Sequence, residues 1–206
     1  AKLIEDGAPP YKGFIMSKDL KSWTTLASGV ETAVLPRDFP YQSLLVGDLE
    51  TLIEPDVDLT NLKLIIDSGR WVPFDLSTPI ILAENMQRYG RALQRMNYLN
   101  DTAVTWLSDC YGRTSAWAGA AGITGVGIVQ TVIAEQVVLL MVTAGTSNCF
   151  INVSGYAPHS FLCLPFGDGM NIDDYLQVQG VSLIELEATQ GAAGGAGAVV
   201  ANQLRV

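Results

Sequence analysis

The chain has 206 residues, of which 49% are apolar and only 16% are charged. This length fits one domain with a sizeable core, and so little charge indicates that some apolar surface is covered by a partner. The net charge is −9, and residues 114–206 contain one basic side chain, Arg205. This distribution argues against direct nucleic-acid binding, which requires clustered Lys and Arg.

In chain order, the first predicted feature is an irregular N-terminal arm. Residues 1–22 contain scattered Gly and Pro with little periodicity, and terminal segments of this kind are commonly poorly ordered. Short β-prone runs separated by Gly, Pro and Asp turns follow. They predict strands at 23–27, 30–35, 43–53 and 62–67, the last joined through Ser68-Gly69 to Trp71 and Val72 as a hairpin.

One helix is predicted near residues 79–97. Pro79 suits the first helical position, with Ser77 or Thr78 before it as a cap. Apolar side chains then recur at spacings of 3, 4 and 3 and predict a stripe along one face, formed by Met86, Tyr89, Leu93 and Met96.

Beyond Asn100 the pattern again favours short strands. They are predicted at 104–107, 126–134, 136–143, 149–153, 160–164 and 181–187. Residues 23–190 are assigned to a single β-rich domain. Residues 191–206 form a C-terminal segment in which GAAGGAGA predicts a flexible or closely approached backbone before a last strand. The predicted class is all-β, a jelly-roll-like barrel or sandwich with one short helix.

Two uncharged stretches, 114–134 and 136–167, raise the question of a membrane span. Both are interrupted by Gly and polar residues, so no transmembrane segment is predicted. The start AKLIEDG lacks a basic-then-apolar signal sequence and is expected to be cytosolic. Three cysteines without a CxxC pair are expected to be reduced, buried thiols: Cys110, Cys149 and Cys163.

Residues that could carry chemistry are sparse. The only histidine, His159, lies in a Gly/Pro loop, and neither Ser154 nor Ser160 belongs to a nucleophile elbow that it could serve. Phosphate-cradling and paired-cysteine metal motifs do not occur in the sequence. We therefore predict no catalytic, cofactor-binding or metal-binding residue and no cofactor.

Two acidic clusters need interpretation. They are Glu54, Asp56 and Asp58 in one apparent turn, and Asp168, Asp173 and Asp174 in another. Both are interpreted as solvated turns. A calcium ion at the second cluster and a facing carboxylate pair that hydrolyses a glycoside remain as alternatives.

The four tryptophans have three open interpretations. They are Trp23, Trp71, Trp106 and Trp117. Such residues are most often core anchors, and less often they belong to an interface or a ligand-stacking surface.

Residues 44–97 resemble capsid proteins of tailless icosahedral viruses and phages with upright jelly-roll subunits. The similarity lies in a strand, a segment that places a second strand (LTNLKLIIDSG) and a short entry into a helix (VPFDLS). The C-terminal VSLIELEATQ and VVANQLRV, separated by the Gly/Ala-rich crossover, fit the same pattern. The resemblance implies a single β-barrel packed side by side into capsomers, with no catalytic residues to transfer.

The function expected from these observations is a non-enzymatic structural subunit of a virus particle. Its expected partners are copies of itself and other virion proteins, and its expected location is the virion, after synthesis in the host cytoplasm. A shell separated from the genome, for instance by a nearby membrane, would explain the absence of a basic nucleic-acid surface. The alternatives are a lectin-like or other ligand-binding β-barrel and, third, an enzyme that uses carboxylates.

Overall fold

The computed structural model describes residues 13–48, 54–100, 104–108, 112–121, 127–133, 136–142, 147–167 and 171–205. These residues form β1 (Phe14–Thr24), β2 (Gly29–Val34), β3 (Tyr41–Asp48), β4 (Leu59–Ile66), β5 (Trp71–Ser77), β6 (Ala92–Asn100), β7 (Val104–Ser108), β8 (Ser115–Ala121), β9 (Gly127–Ile133), β10 (Gln136–Val142), β11 (Ser147–Gly155), β12 (Phe161–Pro165), β13 (Ile184–Gln190) and β14 (Ala196–Arg205). The helices are α1 (Pro55–Asp58) and α2 (Thr78–Tyr89), and 3₁₀ turns occupy Pro158–Ser160 and Ile172–Asp174. The predicted all-β class is confirmed.

Eight of the strands form two four-stranded antiparallel sheets. The first has the order β1-β14-β3-β12 and the second the order β2-β13-β4-β5. The pairing of these eight strands is nested along the chain. The first strand pairs with the last (β1–β14), the second with the second to last (β2–β13), the third with the third to last (β3–β12), and the two innermost strands pair with each other (β4–β5). Among these eight strands, consecutive ones alternate between the sheets, except at the β4–β5 hairpin that the sequence predicted.

The hydrophobic core lies between these two sheets. Every second residue of β13 is buried, including Ile184 and Leu186, and Leu62 and Leu64 of β4 follow the same alternation. Period-2 burial is the mark of strands that cover a core with one face. The first sheet closes the core with buried side chains of Tyr41, Leu44, Val46, Val199 and Ala201.

The six remaining strands belong to an insertion between α2 and β12, residues 92–155, which we call the insert. They form two three-stranded antiparallel sheets, β6-β11-β8 and β7-β10-β9. The insert leaves and rejoins the sandwich at one place, because Ala92 at the start of β6 pairs with Gly155 at the end of β11. The sequence pattern did not predict β6 or β8.

The predicted helix is correct at its start and wrong at its end. Helix α2 begins at Thr78, with Pro79 in its first turn, but ends at Tyr89. Gly90 has a φ of 72° and a ψ of −162°, a conformation open to glycine that ends the helix, and the chain continues as β6. The predicted stripe is also wrong: Met86 and Tyr89 are about half exposed, Leu93 lies on a strand, and the buried face consists of Thr78, Ile81, Leu82 and Asn85.

The predicted domain bounds also need correction, because both ends belong to the sandwich. Residues 14–22, predicted as part of an arm, belong to β1, which pairs with β14 from Phe14↔Arg205 to Thr24↔Ala196. The Gly/Ala-rich segment is closely approached as expected: a Cβ at Gly197 would collide with the indole ring of Trp23. Residues 1–12 lie outside the described part of the chain.

Neither described helix is long and apolar enough to cross a membrane. The uncharged stretches from 114 to 167 contribute β8 to β12, with 122–126, 134–135 and 143–146 outside the described residues.

Candidate functional site

A groove of about 730 Å³ lies on the outer surface of the first sheet, beneath the end of α2. Its floor comes from β3 and β12, through residues such as Leu45, Phe161 and Cys163. These residues alternate along their strands with core residues, so they occupy the opposite face of the sheet. The volume and the mainly apolar lining lie within the range of small-molecule sites in proteins.

Helix α2 is anchored to the edge of this sheet by Asn85. The buried Asn85 amide donates a hydrogen bond to the Cys163 carbonyl oxygen (2.7 Å) and accepts one from the Cys163 N–H (3.0 Å). These bonds satisfy backbone groups of β12, the strand at the end of its sheet. The helix therefore caps an edge that would otherwise be open to another strand.

A chain of hydrogen bonds crosses the groove floor. Ser17 donates to Asn202 (2.6 Å), and the Asn202 amide donates to Ser43 (2.9 Å). The Tyr89 hydroxyl and the Cys163 sulfur lie 3.2 Å apart. These contacts link β1, β14 and β3 in one polar row and connect α2 to β12.

Two side chains at the groove, Cys163 and Tyr89, have raised pKa values. Burial raises the pKa of the Cys163 thiol, and the hydrogen bond from Tyr89 only partly opposes this effect. Burial also raises the pKa of the Tyr89 phenol, and the contact with Cys163 adds to the increase. A thiol with a raised pKa is mainly protonated at neutral pH, so it is not an activated nucleophile. Of the other cysteines, Cys110 and the side chain of Cys149 lie outside the described residues.

Arginines line the rim of the groove. Arg88 donates to the Gly167 carbonyl oxygen, and Arg91 lies exposed just after the helix. No carboxylate lines the groove within the described residues. The groove therefore combines an apolar floor with a positively charged rim, although the whole chain is acidic.

The first acidic cluster is not the solvated turn that we predicted. Glu54 accepts a hydrogen bond from the Thr114 N–H (2.8 Å), and Asp56 forms an ion pair with Arg113 (2.7 Å). Asp58 is 1% exposed. The cluster lies at α1 and binds the insert to the sandwich, so we call it the junction. No pattern in the sequence indicated that Arg113 would face this cluster.

The second acidic cluster lies partly outside the described residues. Asp168 is among the residues not described, whereas Asp173 and Asp174 are exposed on the 3₁₀ turn. Asn171 accepts a hydrogen bond from the Asp173 N–H (3.2 Å) and caps this turn. Among the described residues, no group of three His, Cys, Asp or Glu side chains is arranged to hold a metal ion.

The remaining sequence-predicted residues are dispersed. His159 is exposed with a φ of 57°, and Ser154 donates to the Ser115 carbonyl oxygen (3.3 Å). Trp23 packs against the core, as expected of an anchor, whereas Trp71 is 53% exposed on β5. The side chains of Trp106 and Trp117 lie outside the described residues.

The sequence analysis missed the groove because its lining comes from four separate segments of the chain, 42–45, 85–92, 156–167 and 202. A comparison of the chain with family models, curated proteins and solved structures finds no match.

Proposed function

We propose that this chain is a structural subunit of a virus particle, a capsid protein that assembles with copies of itself or with other virion proteins. The observation that carries the proposal is the nested pairing of the eight sandwich strands. Eight strands paired first to last and divided between two sheets have the pairing expected of a jelly roll, a fold that viral shell proteins, lectins and cupins use, and this supports the proposal. The fold alone does not determine the function, so the surface chemistry has to distinguish a shell protein from a lectin or a cupin.

Exposed apolar side chains favour assembly. They follow the edges of the sandwich: Val30 and Val34 lie on β2, the outer strand of one flank, and Trp71 and Val72 lie on β5, the outer strand of the other. Phe14 and Ile15 extend the first flank along β1. Subunits that stand side by side would bury both flanks together.

The insert supports the same proposal. Strand β10 has the sequence QVVLLMV and is the central strand of its sheet. Neighbouring residues of a strand face opposite sides of the sheet, so an unbroken apolar run requires cover on both sides. An assembled particle supplies such cover.

The proposal includes no enzymatic activity and no direct contact with nucleic acid. It places the protein in the virion, in a shell that need not touch the genome.

A flank variant tests this proposal. Val34→Lys together with Trp71→Lys places charges on both flanks at positions that are already exposed, so the fold should persist. We expect the wild-type chain to form large species in sedimentation velocity and the variant to lose them. A matched control, Ser68→Lys with Gln179→Lys, adds the same two charges at exposed positions outside β2 and β5 and should assemble like the wild type. Equal assembly of the flank variant and the control would contradict side-by-side packing.

The groove favours a second candidate, a lectin-like or other ligand-binding barrel. Its volume and its mixture of apolar floor and convergent polar groups suit a small ligand. Screening of glycans and small anionic ligands by thermal shift tests this candidate, with Cys163→Trp as a variant that fills the floor. A ligand that stabilises the wild type but not this variant would favour binding over assembly.

A further inference from the structure

Two oppositely charged surfaces lie side by side at the end of α2. The first, which we call the basic patch, consists of Arg88 in the last turn of α2, Arg91 just after the helix and Arg95 on β6. The second, the acidic turn, consists of Asp173 and Asp174. Gly167 lies between them: its carbonyl oxygen accepts from Arg88, and a Cβ on Gly167 would lie 2.5 Å from the Cβ of Asp174.

These neighbouring charges do not pair with each other. Within the described part of the chain, the ion pairs involve neither the basic patch nor the acidic turn. Arg91, Arg95 and both aspartates are exposed. Residues 85–100 contain three arginines and no acid, in a chain whose net charge is −9. The patch is thus a local exception to the charge of the molecule.

The basic patch is also apolar. Tyr89 is 56% exposed and Leu93 is 71% exposed, and both lie in sequence among the arginines. A merely solvated face rarely presents large apolar side chains at this exposure together with unpaired charges. The combination of Arg with aromatic and aliphatic groups is that of a protein interface.

We propose that the basic patch binds the acidic turn of a second copy of this chain. The inference rests on the proposed function, because it names one contact by which the subunits assemble. The two surfaces flank the same glycine, so a two-fold axis beside Gly167 brings each patch against the other copy's turn. One symmetric contact then pairs both sets of charges at once.

The apolar and the charged groups have different roles in this contact. Exposed ion pairs contribute little to affinity because water and salt screen them, so burial of Tyr89 and Leu93 supplies most of the affinity. The charges set the orientation, because any other arrangement leaves like charges facing each other.

Charge reversal with rescue tests the contact. The basic reversal is Arg91→Glu with Arg95→Glu, which leaves the Arg88 bond to Gly167 intact. The acidic reversal is Asp173→Lys with Asp174→Lys. Measured by sedimentation velocity at low salt, each reversal alone should weaken association by about tenfold or more, and the quadruple variant should return to within about threefold of the wild type. High salt should weaken the wild-type contact, since the charges are exposed.

Controls separate this contact from general charge effects and from misfolding. Arg37→Glu with Arg70→Glu changes the net charge as much as the basic reversal does, at exposed loop positions outside the patch and outside the outer strands, and should leave association unchanged. Circular dichroism checks the fold of each variant. If a reversal does not fold, Arg91→Gln with Arg95→Gln and Asp173→Asn with Asp174→Asn replace the reversals and should each weaken association several-fold.

The outcomes distinguish this inference from the proposed function. A wild type that assembles, with reversals that assemble equally well or a quadruple variant without recovery, would overturn the contact and leave the structural role in place. A wild type that stays monomeric at every concentration would overturn the contact and self-assembly together.

Discussion

The sandwich and the insert are both antiparallel β structures, yet their sequences differ in kind. Strand β13 of the sandwich reads IELEATQ and alternates buried with partly exposed residues. Strand β10 of the insert reads QVVLLMV and does not alternate. An alternating strand needs one covered face and can meet water with the other, whereas a uniformly apolar strand needs two covered faces. The β13 pattern is that of a strand with one covered face, and the β10 pattern is that of a strand covered on both faces.

The largest expected effect is in the sandwich core. Leu64→Ala removes a fully buried side chain on β4 and should lower the free energy of unfolding by about 2–5 kcal/mol. Chemical denaturation measures the change, and Lys63→Ala, at the partly exposed neighbouring position, should cost less than about 1 kcal/mol. Equal costs at the two positions would contradict the assignment of the core face.

The next effect concerns the place where the two ends of the chain meet. Gly197→Ala places a methyl group against the Trp23 indole and should destabilise the sandwich by about 1–3 kcal/mol. Thermal unfolding measures this change. Adding Trp23→Leu should recover part of the loss, because it vacates the space that the methyl group needs. A double variant that is as unstable as the sum of the two single variants would show that the residues do not touch.

The junction allows the two regions to be separated. Glu54→Ala removes the carboxylate that accepts the hydrogen bond from the Thr114 N–H and should cost about 1–3 kcal/mol. Hydrogen exchange should increase at residues 112–116 and remain slow in β4 and β13, since the core is untouched. Glu54→Gln, which retains an acceptor oxygen, is the control. Uniform loss of protection throughout the sandwich would mean that the regions unfold as one unit.

The smallest effect is a pH dependence at the β4–β5 turn. Hydrogen bonds from the Ser182 hydroxyl (2.7 Å) and N–H (2.6 Å) lower the pKa of Asp67 below its ordinary value. A lowered folded-state pKa means that this stabilisation is fully present above the ordinary aspartate pKa of about 4 and is lost as the pH falls through the folded-state value. Asp67→Asn should therefore slightly reduce the loss of stability as the pH falls through this range. If the stability of the variant falls with decreasing pH as steeply as that of the wild type, Asp67 has no role in this pH dependence.

The local parts of the fold could be predicted from the sequence. Alternation and the Ser68-Gly69 turn indicated the β4–β5 hairpin, and Pro79 indicated the start of α2. The end of α2 could not be predicted, because Leu93 and Met96 continue the helical spacing by coincidence although they belong to a strand. Strand β6 pairs with β11, whose residues lie about fifty positions later in the chain, and no local pattern reports such pairing.

Less of the candidate site than of the fold could be predicted from the sequence. The notable side chains of the sequence, His159 and the tryptophans, do not converge on one place in the described residues. The groove depends on Asn85 reaching the edge of β12, and the junction depends on Arg113 reaching α1. Both are contacts between segments distant in sequence, so their chemistry becomes visible only in three dimensions.

The most direct test of the structural role is light scattering on a sizing column, with negative-stain imaging of the same peak. The proposed function predicts rings, sheets or closed shells from the purified chain, alone or mixed with other proteins of the particle. A clean monomer at high concentration, both alone and with those proteins, would contradict it and would favour the ligand-binding barrel.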